Sequence, residues 1–154
     1  MSMETEVKAI INADRKSVWN TIANIEDAAQ TISGIEKVEI LEKPASGMVG
    51  FKWRETRTMF GQKATEVIWI TEAVELEFYK TRAESHGAIY TSTLALNESN
   101  GATELSMRFS AQPVTFGAKV MWRLTGFLFA GATKKALAKD LQDIKAAVER
   151  KPAV

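Results

Sequence analysis

Hydrophobic positions recur at every second residue through most of the chain up to Ala111, then shift to a helical period. Val7, Ala9 and Ile11 alternate, so Glu4–Ile11 reads as a first strand. Asp14 follows as an N-cap, its carboxylate placed to accept free backbone amides ahead of a short helix over Arg15–Asn24. Val18, Ile22 and Ile25 repeat there at helical spacing. A second short helix follows Asp27 and stops at Ser33-Gly34, where glycine can take the left-handed cap conformation. Strands are then expected at Ile35–Glu42, Val49–Thr58, Ala64–Thr71, Glu75–Glu84, Ala88–Leu96 and Thr103–Ala111. The breaks between them are rich in residues that turn the chain: Pro44-Ala45-Ser46-Gly47, Phe60-Gly61-Gln62, Ser85-His86-Gly87 and Asn97 to Gly101. Glu72-Ala73-Val74 carries the weakest of these turn signals. Beyond Pro113, Phe127, Ala130, Leu137, Leu141, Ile144 and Val148 share one stripe, which predicts a long helix from about Phe116 to Arg150. Gly117, Gly126 and Gly131 weaken its first half, so a bend or late start is expected. That half is apolar on more than one side and is expected to lie deeper than the second.

Short turns between successive strands imply antiparallel pairing, because parallel strands need a long crossover. The order strand, two short helices, six strands, long helix therefore predicts an α+β fold. A curved antiparallel sheet of six to seven strands wraps the C-terminal helix, the one element large enough to cover a dry sheet face. A sheet that curls around a helix leaves space between them. No repeat or linker divides the 154 residues, so residues 1–154 read as one domain.

Composition narrows the chemistry. There is no cysteine and one histidine, which excludes disulfides, thiolate sites and a two-histidine facial triad within the chain. No metal or cofactor is expected. Charges interleave and sum to +1, with no basic stripe for nucleic acid. The opening residues lack the apolar run of a secretory signal, and no segment approaches the ~20 apolar residues of a membrane span. A cytoplasmic location is expected on those grounds. P-loop, dinucleotide, nucleophile-elbow and metalloprotease motifs are all missing from the sequence.

The opening INADRKSVWNTIANIED resembles the I-x-A-x-x-x-x-V-W start of the START-like, helix-grip superfamily, also called SRPBCC. GFKWRETRTMFGQKATE is similar to its glycine-then-basic strand pair, ESHGAIYTSTLAL to its fifth and sixth strands, and KKALAKDLQDIKAAVE to its terminal helix. The resemblance covers nearly the whole chain, and its motifs are structural. It implies a cavity between sheet and C-terminal helix that holds a hydrophobic or amphipathic molecule. Members include polyketide cyclase/dehydrase-like proteins, lipid-transfer domains and small-molecule carriers, among which fold alone does not choose.

Period-two alternation puts Glu55 and Arg57 on the same face as Val49, Phe51 and Trp53. Should that face be inward, the pair can fix a ligand's polar end or tune a general acid/base, with Glu66 nearby in the pattern. The opposite phase turns Lys52, Arg54 and Thr56 inward instead. Tyr79 and Tyr90 are candidates to pair across the hairpin at His86-Gly87. Tyr90, Ser92 and Leu94 alternate on the later strand, and Met107 and Phe109 form the inward set of the last. Trp122, Phe127 and Phe129 occupy the first half of the long helix. Trp19 and Trp69 are assigned to structure, and His86 to a surface turn. The candidate ligand-binding set is thus Phe51, Trp53, Glu55, Arg57, Tyr79, Tyr90, Ser92, Leu94, Met107, Phe109, Trp122 and Phe127. Glu55, Arg57 and Tyr90 are the catalytic candidates.

Three functions fit. The leading one is binding or carriage of a small hydrophobic or aromatic ligand. An aromatic cyclase/dehydratase would use Glu55, Arg57 or a tyrosine to move protons. A lipid-transfer protein would use the apolar segment 120–130 for peripheral contact with a membrane surface.

Overall fold

The computed structural model describes residues 3–59 and 61–150, other than the side chains of Met59 and Phe127. Strand β1 (Met3–Ile11) leads into α1 (Arg15–Ile22), a 3-10 turn at Ile25–Asp27 and the single-turn α2 (Ala28–Thr31). Strands β2 (Ile35–Glu42), β3 (Lys52–Met59), β4 (Gln62–Val74), β5 (Phe78–Ser85), β6 (Ala88–Ser99) and β7 (Ala102–Pro113) follow, and α3 (Phe116–Arg150) closes the chain. The seven strands form one antiparallel sheet in the order β1-β7-β6-β5-β4-β3-β2. Only β1 departs from sequence order. The segment containing α1 and α2 therefore carries the chain from one edge of the sheet to the other. This is the expected helix-grip architecture.

Local chemistry fixes the elements. Asp14 accepts the Ser17 amide at 2.8 Å and caps α1. His86-Gly87 and Asn100-Gly101 each form a two-residue hairpin with both residues at positive φ, a twist that matches the flanking strands. His86 is exposed, as expected of a turn residue. The connection expected at Glu72-Ala73-Val74 lies elsewhere: β4 runs through Val74, and the chain turns at residues 75–77 with Leu76 at φ 68°. Leu76 packs against the core, and that burial offsets a backbone conformation costly for a non-glycine residue. Gly34 does not adopt the left-handed cap expected of it. Its missing side chain instead makes room, because a Cβ there would sit 3.3 Å from Nη1 of Arg57.

A bulge between Ile70 and Glu72 shifts the inward-facing register of β4, so that Ala73 follows Ile70 on the inner face. The inner face carries Ile70, Tyr79, Leu94, Leu105 and Met107 against Leu141, Ile144 and Val148 of α3, with Val18, Trp19 and Ile22 of α1 closing the end. Each such fully buried aliphatic side chain contributes about 1.5–3 kcal/mol.

Helix α3 packs chiefly on β1, with further contacts to β7, α1 and α2. Both of its ends are tied down. Val114 and Thr115 donate backbone amides to the Gly87 carbonyl at 2.7 and 3.2 Å, and Thr115 Oγ1 accepts the Ala118 amide. Near the C-terminus, Lys145 Nζ reaches the Ile10 carbonyl, and Glu149 accepts the Asn12 amide at 2.8 Å. The helix runs unbroken from Phe116 despite its three glycines. The expectation that its first half lies deeper is reversed: Leu141 is 1% exposed, whereas Leu124 is 68% exposed. The sheet covers one side of the helix, and among the described residues no second layer covers the other.

Candidate functional site

Strand β3 sets the site. Phe51 and Trp53 are buried and meet edge-on, with ring centroids 6.0 Å apart. Glu55 and Arg57 continue that face inward, while Arg54 pairs with Glu39 and Lys52 lies over the Trp69 ring on the other side. The structure therefore places Phe51, Trp53, Glu55 and Arg57 together in the phase that turns Lys52, Arg54 and Thr56 away. Val49 is the exception: it sits in the turn at residues 49–50 and is exposed.

Glu55 and Arg57 meet a third ionic partner from α3. Arg57 donates Nε to Glu55 at 2.7 Å, and Nη1 and Nη2 to the two oxygens of Asp140 at 3.2 and 2.8 Å. Trp53 Nε1 donates to the remaining Glu55 oxygen at 3.2 Å. Asp140 is 3% exposed. Burial disfavours the charged guanidinium, but Glu55 and Asp140 outweigh it and hold the Arg57 pKa above its ordinary value. Burial pushes the Asp140 carboxyl upward against the pull of Arg57. These hydrogen bonds are all internal, so the cluster cross-links α3 to β3 with little left over for a substrate.

Asp140 is the member of the cluster that strand alternation does not reach. Its signal lies in the helix: it falls three residues after Leu137 and four before Ile144, on the apolar stripe itself. A lone carboxylate on such a stripe calls for a cation on the facing element.

The remaining candidates divide in two. Tyr79, Leu94 and Met107 are core. The Tyr79 hydroxyl donates to the Ile22 carbonyl at 2.9 Å and its ring meets Trp19 edge-on, so burial keeps its pKa high. Tyr79 lies opposite Leu94 and Tyr90 opposite Ala83, so the expected cross-strand tyrosine pair does not form. Tyr90, Ser92 and Phe109 are only half-buried although they share the inner face. Tyr90 and Phe109 stack with centroids 6.0 Å apart. The Tyr90 hydroxyl has no hydrogen-bond partner among the described residues. Burial and the Glu66 carboxylate raise its pKa, so it stays a proton donor at neutral pH. Glu66 stands opposite Glu55 across β3 and β4 and accepts a hydrogen bond from Ser85 Oγ at 2.8 Å.

In the first half of α3, which begins beside Gly87, Trp122 and Phe129 are half-buried and pack 4.9 Å apart. Their spacing continues the stripe through Thr133 and Leu137. The Phe127 side chain lies outside the described residues. Two shallow concavities lie elsewhere, one at Ile10, Asn97, Ser99, Ala102 and Glu104 and one at Glu4, Thr5, Glu6 and Arg108. None of the expected wall residues lines either. Among the described residues no three His, Asp or Glu side chains are grouped to hold a metal ion.

Residues 2–149 match the model of the polyketide cyclase/dehydrase and lipid transport family. The chain belongs to that family. Solved structures agree on the fold. TTHA0849 from Thermus thermophilus is 13% identical, with a TM-score of 0.80 over 96% of this chain and 97% of its own. The Zhui aromatase/cyclase from Streptomyces sp. R1128 is 15% identical, with a TM-score of 0.78 over 97% and 95%. A START superfamily protein from Mycobacterium smegmatis is 12% identical, with a TM-score of 0.77 over 96% and 97%. No curated protein matches the chain. At these identities the likeness concerns architecture, and the family description spans both catalysis and transport.

Proposed function

We propose that this family member binds a small hydrophobic or aromatic molecule between α3 and the inner sheet face, at the end occupied by Tyr90, Ser92 and Phe109. One observation carries the reading. The inner face is sealed around Leu94, Leu105, Leu141 and Ile144, yet the stacked Tyr90–Phe109 pair beside it is incompletely covered. Half-covered aromatic surface with one unpartnered hydroxyl is the composition of a ligand wall: apolar area for affinity and a polar group for orientation. A bound carbonyl or hydroxyl oxygen can accept from Tyr90, while Phe109, Trp122 and Phe129 supply apolar contact.

Carriage is favoured over catalysis because the strongest candidate for proton transfer is already committed. Glu55 and Arg57 satisfy each other, Trp53 and Asp140, which leaves neither free to exchange a proton with a substrate. The second reading is an aromatase/cyclase activity like that named for the Streptomyces protein. It would rest on Tyr90, whose pKa burial and then the Glu66 carboxylate raise, and on Glu66 itself. The whole chain then acts as one ligand-binding domain in the cytoplasm.

Titration with 8-anilinonaphthalene-1-sulfonate, followed by tryptophan quenching, tests the binding site. The wild type should saturate at one probe per chain. Ser92→Trp should fill the half-covered space and weaken binding at least tenfold with the fold intact by circular dichroism. Saturable binding that survives Ser92→Trp unchanged would move the site elsewhere. No saturable binding to the wild type would remove the carrier reading altogether.

A further inference from the structure

The first half of α3 presents an apolar face that nothing in the described fold covers. Phe116 is 83% exposed, Met121 59%, Leu124 68% and Leu128 63%, with Val120 beside them. Val120, Leu124 and Leu128 follow at four-residue spacing, so they form one ridge along the helix. The opposite side of the same turns carries Trp122, Phe129 and the buried Thr133, so the ridge faces away from the sheet.

Charge identifies what the ridge fits. From Phe116 to Lys139 the helix carries Lys119, Arg123, Lys134, Lys135 and Lys139 and no carboxylate, although the whole chain balances 20 basic against 19 acidic residues. Lys119, Arg123, Lys134 and Lys135 are exposed and have no acidic partner among the described residues. An exposed apolar ridge flanked by unpaired cations matches the chemistry of an anionic bilayer surface, where acyl chains take the apolar residues and headgroups take the lysines. No helix among the described residues is long and apolar enough to cross a membrane, so the helix would lie in the interface.

We propose that the protein docks reversibly on anionic lipid bilayers through the outer face of α3, with Leu124 and Leu128 entering the headgroup boundary and Lys119 and Arg123 contacting lipid phosphates. The surface is separate from the Tyr90–Phe109 end of the inner face, on the other side of the same helical turns. Membrane docking and ligand binding can therefore fail independently.

The test is flotation of the full chain with vesicles of phosphatidylcholine alone and of phosphatidylcholine with about 30% phosphatidylglycerol, enough anionic lipid to give the surface potential on which cationic segments act. The wild type should bind the anionic vesicles at least tenfold more tightly than the neutral ones and lose binding as salt is raised. Leu124→Gln/Leu128→Gln and Lys119→Glu/Arg123→Glu should each reduce anionic binding at least tenfold. Both pairs are exposed, and unchanged thermal unfolding and probe titration would show that fold and ligand site survive. Equal partitioning of wild type and variants, or no vesicle binding at all, would overturn the proposal. So would a concentration-dependent dimer that Leu124→Gln/Leu128→Gln dissociates while vesicles are ignored, since the ridge would then belong to a second copy.

Discussion

Removing Arg57 asks whether the Glu55–Arg57–Asp140 cluster holds the helix to the sheet. The side chains of Glu55 and Asp140 are 11% and 4% exposed, and Arg57 is 25% exposed, so none is well hydrated. Arg57→Met preserves most of the stem but leaves two carboxylates buried without a cation. Breaking a buried pair in this way costs about 3–5 kcal/mol. For a chain of this length 1 kcal/mol moves the midpoint by about 2–4 °C, so Tm should fall by roughly 6–20 °C. Asp140→Asn keeps the shape and leaves Arg57 paired with Glu55, so its cost should be smaller, about 1.5–3 kcal/mol. Replacing all three by Leu, Met and Leu should recover much of the loss, because apolar packing matches a buried ion pair. The pH dependence has a definite sign. Burial already raises the Asp140 carboxyl, and Arg57 is the main pull in the other direction. Without Arg57 the folded-state pKa of Asp140 therefore rises further above its unfolded value, so the penalty is full at high pH and shrinks as pH falls through that folded-state pKa. Urea unfolding followed by tryptophan fluorescence and far-UV circular dichroism at pH 8 and pH 5, with a shared slope, gives these values. A change below about 1 kcal/mol for Arg57→Met, with unaltered pH dependence, would refute the cross-link. Lost probe binding at unchanged stability would instead make the cluster a ligand anchor.

Gly87→Ala should destabilise the protein and disturb the start of α3, because φ is +75° there and an added Cβ would collide with the Thr115 side chain; thermal unfolding reports the first effect and hydrogen exchange near Ala118 the second. Asp14→Ala should lower the unfolding midpoint near neutral pH by removing the cap of α1. The Ser17 hydrogen bond lowers the Asp14 pKa, so this contribution is present above the unfolded pKa and disappears as acid protonates the carboxyl. The wild type and Asp14→Ala should accordingly converge in stability once the pH falls below the lowered Asp14 pKa, and a difference that persists there would count against the cap. Tyr90→Phe should weaken an oxygen-bearing aromatic ligand roughly twofold to tenfold, the scale of one neutral hydrogen bond, and leave a pure hydrocarbon probe unaffected in calorimetry.

The bounds of β2 and α3 were legible from strand texture and helical period, although β2 carries a register shift near each end and α3 runs through its three glycines without the expected bend. The hairpins at His86-Gly87 and Asn100-Gly101 were legible because glycine marks positive φ. The turn at Leu76 was not, because it rests on a leucine whose tertiary packing offsets its backbone cost. Gly34 carried a helix-stop signal but serves a long-range contact to Arg57 that no local pattern encodes. The first half of α3 misled for a related reason. Hydrophobicity on several sides ordinarily indicates burial, yet the fold supplies a covering layer on only one. At the site, alternation on β3 aligned Glu55 and Arg57 with Trp53, whereas Asp140 required pairing a helix position with a strand 83 residues away in sequence. Tyr79 and Tyr90 shared a face by parity, but only the register separates the one whose hydroxyl is satisfied from the one whose hydroxyl is available.

Native mass spectrometry of the protein purified from its host, beside Ser92→Trp prepared identically, tests ligand binding at the Tyr90–Phe109 end most directly. A single small apolar or aromatic adduct is expected at one per chain on the wild type, and none on Ser92→Trp. An adduct of the same mass and occupancy on both proteins would contradict the site, and its absence from both, together with no saturable probe binding, would contradict the function.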